Sequence, residues 1–98
     1  MSRNLTIIPT YNEKENILLV IEKIFSLNVK TDILIVDDGS PDGTGDLVKE
    51  KQKTTPELHL MERAGKQGLG TAYIAGFKYA IEHEYDTVVQ MDGDFSHD

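Results

Sequence analysis

The stretch that decides the fold is ILIVDDGS, residues 33–40, in which an aliphatic run leads straight into two acids. A short, continuous apolar run is typical of a strand that is covered on both faces of a sheet. Acids at the end of such a strand need hydrogen-bond donors or a capping role at the next helix. We therefore predict a buried strand that ends at Asp37 and Asp38, with one acid structural and the other facing a ligand.

Similar apolar runs occupy residues 5–8 and 87–91, and a weaker one occupies residues 58–61. The two stronger runs also predict strands that are covered on both faces. Together with residues 33–36 they give four strands. Segments with helical character separate these strands along the chain.

Three helices are predicted between the strands. In the first, Ile17, Ile21 and Ile24 recur at helical spacing, and Asn12 with Glu15 has the spacing of a capping box that starts it. The others cover residues 44–53 and 69–83. The last helix carries small residues that would let it pack closely on a sheet, namely Ala72, Ala75, Gly76 and Ala80. The order β-α-β-α-β-α-β predicts an α/β fold with a mostly parallel sheet and helices on its faces.

Composition limits the classes of function. The chain has 98 residues and a formal charge of −7, from 10 Lys and Arg against 17 Asp and Glu. This charge argues against binding to nucleic acid or to an anionic membrane through bulk electrostatics. The lack of cysteine excludes disulfides and thiol nucleophiles, and no apolar run is long enough to cross a membrane. We predict one soluble, cytoplasmic domain at most.

Unusual chemistry follows each predicted strand, and ligands of open α/β sheets bind beyond the carboxyl ends of the strands. After the last strand, the spacing of Asp92 and Asp94 puts both carboxylates on one side of an extended backbone. Gly93 between them would let a large anion approach the main chain. Hard oxygen ligands suit Mg²⁺ or Mn²⁺ that holds a phosphate group, whereas the alternative is an ordinary surface turn.

Two other strand ends offer contacts for a nucleotide. Tyr11 has a ring that can stack on a base, and Glu13 can accept hydrogen bonds from base or ribose. Glu13 is equally well explained as a favourable charge at a helix N-terminus. Arg63 and Lys66, in a glycine-rich loop, could hold a diphosphate.

Four motifs of the chain resemble those of family 2 glycosyltransferases of the GT-A fold. They are IPTYNE (8–13), VDDGSPDGT (36–44), GLGTAY (68–73) and MDGDFSH (91–97). The variants SPDGT (40–44) and GLGTAY are similar to those of the polyprenol-phosphate (dolichol-phosphate) mannosyltransferases within that family. The resemblance is collinear over nearly the whole chain and implies a three-layer, Rossmann-like sheet.

The resemblance also implies roles for individual residues. Asp92 and Asp94 match the motif for the metal and the diphosphate, with Gly93 where the family more often has Ala. Ser96 stands where some relatives carry Gln as a further metal contact. The positions that hold the base and ribose are matched by Pro9, Tyr11, Glu13, Val36 and Asp38.

The implied reaction is transfer of mannose from GDP-mannose to a polyprenol phosphate with inversion, assisted by Mg²⁺ or Mn²⁺. Residues 1–98 are expected to be the N-terminal, donor-binding part of a truncated GT-A domain. The acceptor-binding part would be absent, and the 98 residues alone would not turn over. The full-length relatives are expected at the cytosolic face of a membrane.

Alternatives from the sequence are a UDP-glucose-dependent relative, a noncatalytic nucleotide-binding module and a receiver domain. A receiver would need a further strand carrying a lysine after the last acid. The uncovered apolar surface of an incomplete sheet predicts self-association.

Overall fold

The strands that the structure describes pair in one parallel sheet. The computed structural model describes residues 3–27, 30–64 and 68–91. The elements are β1 (Asn4–Thr10), α1 (Ile17–Phe25), β2 (Asp32–Asp37), α2 (Thr44–Gln52), β3 (Leu58–Glu62), α3 (Leu69–Glu82) and β4 (Thr87–Gln90). The strand order is β3-β2-β1-β4, with parallel pairing throughout. The predicted α/β fold with a mostly parallel sheet is therefore confirmed.

The helices cover the sheet from both sides. From β1 the chain moves outward to β2 and β3, and then returns to the other side of β1 for β4. Right-handed crossovers in these two directions put α1 and α2 on one face and α3 on the other. The buried cluster on the first face is formed by Ile8, Ile17, Val20, Ile21, Ile24, Ile33, Ile35, Val48 and Leu58. The buried cluster on the second is formed by Leu5, Ile7, Leu34, Val36, Ala72 and Ala80.

The prediction that residues 87–91 form a strand covered on both faces is wrong in its burial. β4 lies at the edge of the sheet because it pairs with β1 alone among the described strands. Its burial pattern is mostly exposed, and Val89 is 45% exposed. An apolar cavity of about 250 Å³ opens beside it, with Ile24 and Leu27 among its lining residues. Among the described residues, the apolar, β-branched sequence of β4 is therefore not matched by burial.

The predicted capping box at Asn12 and Glu15 is also wrong. Helix α1 begins at Ile17, after an N-cap, Asn16, that makes no side-chain capping bond. Asn12 has a left-handed backbone with φ of 57°, and its N–H donates to the Ser40 hydroxyl at 2.9 Å. The loop before α1 is held by the β2–α2 loop, and this tertiary contact overrides the local capping signal.

The small residues of α3 allow the close packing that was predicted. A Cβ atom placed on Gly76 would lie 2.7 Å from Cδ1 and 2.8 Å from Cγ2 of Ile7. Ile7 is fully buried in the central strand β1, so its side chain has no space into which it can move. The contact between α3 and β1 therefore requires glycine at position 76.

Several large apolar side chains of the described residues are exposed. They are Leu19, Leu27, Ile74, Phe77, Ile81 and Val89. Exposed apolar surface favours association, and self-association of the chain stays a prediction. Within residues 3–27, 30–64 and 68–91, no helix combines the length and hydrophobicity that crossing a membrane requires.

The amino ends of the strands are joined by a polar contact around Asp32. The Tyr85 hydroxyl donates to Oδ2 of Asp32 at 2.6 Å, and His59 Nε2 lies 3.1 Å from the same oxygen. Burial, the hydrogen bond to Asp32 and the charge of Asp32 all raise the pKa of Tyr85 well above its ordinary value of 10.0. This contact ties the segment after α3 to the start of β2.

The Gly76 contact predicts a stability difference between two glycines of the same helix. Gly76→Ala should lower the free energy of unfolding by about 1–3 kcal/mol, because the added methyl group overpacks against Ile7. Gly70→Ala is the matched control, since a Cβ there meets nothing within 4 Å. It should leave stability unchanged or raise it by up to about 1 kcal/mol. Urea denaturation of both variants measures the difference, and equal effects would contradict the packing described.

The Tyr85 contact predicts a pH-dependent stability. Tyr85→Phe should cost about 1–3 kcal/mol near neutral pH, because it removes a hydrogen bond to a carboxylate. With a raised folded-state pKa, the stability due to the Tyr85 proton is present below about pH 10 and is lost above it. The gap between wild type and variant should therefore narrow from about pH 9 to about pH 11. A gap in urea midpoint that is constant over this range would contradict the assignment.

Candidate functional site

The carboxyl ends of the central strands bring together the polar residues predicted to bind a ligand. In the register of the sheet, Thr10 of β1 pairs with Asp37 of β2, which pairs with Glu62 of β3. On the other side of β1, the register with β4 runs as far as Gln90 opposite Ile7, and the Met91 N–H donates to the Ile7 carbonyl at 3.0 Å. The strand order reverses between β1 and β4, and open α/β sheets bind ligands at such a switch point.

Asp37 is an internal acceptor. Its side chain is 1% exposed, and Oδ1 accepts hydrogen bonds from the hydroxyls of Thr10 and Ser40, each at 2.6 Å. Oδ2 accepts the Ser40 N–H at 3.0 Å. A buried carboxylate is tolerated when hydrogen bonds compensate for lost hydration. Of the two neighbouring acids, Asp37 is the structural one.

Asp38 pairs with a cation that the sequence assigned elsewhere. Nε of Arg63 donates to Oδ1 of Asp38 at 2.6 Å, and the two side chains are only 11% and 8% exposed. Arg63 also donates from its backbone N–H to the Asp37 carbonyl at 2.7 Å and from Nη2 to the Gly68 carbonyl at 3.3 Å. Arg63, predicted to hold a diphosphate, thus fixes Asp38 against the start of α3.

The remaining described candidates lie in β1 and β2 or directly after β1. Pro9 is partly buried and is the register partner of Val36, which is fully buried against the α3 side of the sheet. Any contact of Val36 with a ligand would therefore use its backbone. Tyr11 and Glu13 follow β1 and are both partly exposed. The contacts of Tyr11 and Glu13 with base and ribose stay predictions.

The other predicted site residues lie outside the described residues. These are Lys66, Asp92, Gly93 and Asp94. Among the residues that the structure does describe, no group of three or more His, Cys, Asp or Glu could hold a metal ion. The metal-binding assignment of Asp92 and Asp94 therefore stays a prediction.

One set of polar residues was not singled out by sequence reasoning. SPDGT leads into α2, and its side chains also contact the loop after β1. Ser40, Asp42 and Thr44 accept hydrogen bonds from consecutive backbone amides of Asn12, Lys14 and Glu13, respectively. Oxygen-bearing side chains at alternate positions before a helix were the available signal.

Comparison with known proteins gives consistent matches. The glycosyl transferase family 2 model matches residues 6–98. An undecaprenyl-phosphate mannosyltransferase from Micrococcus luteus is 48% identical over 95 residues, which cover 97% of this chain and 39% of that protein. A polyprenol monophosphomannose synthase from Mycolicibacterium smegmatis is 48% identical over 96 residues, which cover 97% of this chain and 36% of that protein.

A solved structure shares the fold. The mannosyltransferase PcManGT from Pyrobaculum calidifontis, solved in complex with GDP-Man and Mn²⁺, superimposes with a TM-score of 0.81 at 29% sequence identity. The match covers 94% of this chain and 27% of that chain. The Rossmann-like GT-A architecture implied by the motifs is therefore confirmed.

The chain spans well under half the length of the curated relatives it matches. The family model nevertheless covers nearly all of its residues, and the sheet matches that of a mannosyltransferase. The chain therefore belongs to glycosyl transferase family 2.

Proposed function

We propose that this chain binds the donor of an enzyme that transfers mannose from GDP-mannose to a polyprenol phosphate with inversion. The observation that carries the proposal is the arrangement at the switch point. Tyr11 and the Asp38–Arg63 pair follow β1, β2 and β3 at the carboxyl edge of the sheet next to it, in the fold of a mannosyltransferase solved with GDP-Man and Mn²⁺. Family membership does not fit the receiver-domain alternative.

The base and ribose would bind at the ends of β1 and β2. Tyr11 offers a ring for stacking, and Asp38 offers a carboxylate that Arg63 already holds in a nearly buried position. A fixed acceptor of this kind suits the N–H groups of guanine, because little ordering of the side chain remains to be done on binding. Pro9, Glu13 and the backbone at Val36 would complete the pocket.

The diphosphate and metal would bind where the chain leaves β4. Asp92 and Asp94 would hold Mg²⁺ or Mn²⁺, Gly93 would let the diphosphate approach the backbone, and Lys66 would add positive charge. When bound, the metal would neutralise the charge that develops on the diphosphate leaving group. The metal is supported by the hard oxygen donors in the sequence and by the Mn²⁺ in the structural neighbour.

The acceptor chemistry needs little from this chain. A lipid monophosphate has a second pKa of about 6 and is largely ionised at neutral pH, so its oxygen can attack without a strong general base. Inversion requires this attack on the face of the sugar opposite the diphosphate. For the 98 residues themselves we propose donor binding without turnover. Acceptor binding at the cytosolic face of a membrane would be carried out by the part of the relatives that this chain does not cover.

Nucleotide titration tests the proposed donor. In calorimetric titrations with Mn²⁺, GDP should bind at least about tenfold more tightly than UDP, because Asp38 accepts the N–H groups of guanine. Asp92→Asn should lower GDP affinity by about tenfold or more, since it removes a charged metal ligand. Glu82→Gln, which removes the same charge from an exposed position on α3, should bind as wild type does.

Other outcomes of this titration are equally informative. Equal binding of the two nucleotides, or tighter binding of UDP, would replace the mannosyl donor with a UDP-sugar. Binding that is indifferent to Asp92→Asn would contradict the metal assignment. Absence of binding by the wild-type chain would contradict the donor-binding role itself.

A further inference from the structure

Consecutive peptide groups after β1 are held by side chains of the loop after β2. The N–H of Asn12 donates to the Ser40 hydroxyl at 2.9 Å, and that of Glu13 donates to the Thr44 hydroxyl at 3.0 Å. The N–H of Lys14 donates to Oδ2 of Asp42 at 3.1 Å. We call this arrangement the amide clamp: Ser40, Asp42 and Thr44 with the amides of residues 12–14. It joins the loop that carries Tyr11 and Glu13 to the start of α2.

Two carboxylates orient the hydroxyls of the amide clamp. The Ser40 hydroxyl donates to Oδ1 of Asp37 at 2.6 Å, and the Thr44 hydroxyl donates to Oδ1 of Asp42 at 2.5 Å. Each hydroxyl has one proton, so donating it to a carboxylate leaves the oxygen lone pairs for the amide. Hydrogen bonds to a charged acceptor are about twice as strong as neutral ones. The two hydroxyl protons are thus directed at Asp37 and Asp42, and the two hydroxyl oxygens face the amides.

The protonation state of Asp42 is matched to this role. Burial raises the pKa of Asp42, but hydrogen bonds from Thr44 and from the Lys14 amide, together with the Lys14 charge, outweigh it. The pKa is therefore held below its ordinary value of 3.8. Asp42 also accepts the Thr44 N–H at 3.0 Å. It thereby caps α2, because the N-cap residue, Gly43, has no side chain that could do so. One carboxylate serves both the helix and the loop.

The amide clamp fixes the backbone of residues 12–14 in one of several conformations open to a loop. Asn12 has φ of 57°, a conformation that L-residues other than Asn and Asp adopt only rarely. On the other side of the loop, the Glu13 carbonyl accepts the N–H groups of Asn16 at 3.0 Å and Ile17 at 2.8 Å. Glu13 is therefore fixed at its N–H by Thr44 and at its carbonyl by the first residues of α1.

We propose that Thr44 is a positioning residue for nucleotide recognition. Together with Ser40 and Asp42 it fixes the loop from which Tyr11 and Glu13 reach the base and ribose. The inference rests on the proposed function, since it assigns to SPDGT the preorganisation of that site and no ligand contact of its own. Thr44 is fully buried, so its hydroxyl acts on the loop and not on a ligand. Fixing the loop before binding lowers the entropy cost of ordering it.

Removal of the Thr44 hydroxyl tests the proposal. Thr44→Val keeps the shape of the side chain but leaves the Glu13 N–H without its acceptor. It should lower GDP affinity by about five- to tenfold, the equivalent of one hydrogen bond. Thr44→Ser restores the hydroxyl and should recover the affinity to within about twofold. Thr54→Val makes the same chemical change at an exposed position just after α2 and should bind GDP as wild type does.

Two further readouts separate positioning from general damage. Inorganic pyrophosphate with Mn²⁺ should bind Thr44→Val and wild type equally, because the clamp acts on the base and ribose contacts. Amide hydrogen exchange of Glu13, measured by NMR without nucleotide, should be about tenfold faster in Thr44→Val. If Thr44→Val fails to fold, Ser40→Ala removes the neighbouring acceptor at a partly exposed position and should show the same pattern at Asn12.

The proposal is overturned if the hydroxyl-free variant binds GDP as tightly as wild type, or loses pyrophosphate affinity to the same extent. It is also overturned if Thr44→Ser fails to restore binding. A wild-type chain that binds no GDP contradicts the proposed function instead. In that case the exchange rate of the Glu13 amide still decides whether the clamp holds the loop.

Discussion

The buried carboxylate of Asp37 is the constraint on which the functional edge of the sheet depends. It lies at the end of the most apolar strand, where an unpaired charge would be costly, and it is satisfied by Thr10 from β1 and by Ser40 from its own loop. The two central strands are thereby joined at their carboxyl ends as well as by their ladder. Ser40 in turn accepts a hydrogen bond from the Asn12 N–H. The loop after β1 is therefore fixed relative to the loop after β2.

The two ends of the sheet have different chemistry. At the amino end, Asp32 accepts a hydrogen bond from Tyr85 and lies next to His59, which ties the chain after α3 to β2. At the carboxyl end, Asp38 and Arg63 form a nearly buried ion pair, and the Asp38 N–H donates to the Thr10 carbonyl at 3.0 Å, one residue before the partly exposed Tyr11. Desolvating such a pair costs free energy that the attraction between the charges only roughly repays. We therefore propose that the place of the Asp38 carboxylate serves nucleotide binding more than stability.

Much of the fold could be predicted from the sequence. The strands β1 and β2 are buried on both faces, and the continuous apolar runs in their sequences indicate this burial. The small residues of α3 likewise reported its close packing on Ile7. The burial of β4 could not be predicted, since β-branched residues favour strands at edges and centres alike. The start of α1 was missed because the Asn12 amide is bound by Ser40, a partner 28 positions along the chain. For the site, motif resemblance identified the strand ends, but it could not show that Arg63 pairs with Asp38 or that SPDGT holds the neighbouring loop.

The central claim is that the edge organised by Asp37 binds a nucleoside diphosphate. Paramagnetic broadening of backbone amide signals tests it most directly, in a ¹⁵N-labelled chain titrated with GDP and substoichiometric Mn²⁺. The account predicts GDP-dependent broadening and shifts at residues 10–13 and 37–40, with the signals around Asp32 and His59 unchanged. Broadening centred on Asp32 and His59, or the same broadening with and without GDP, would contradict it.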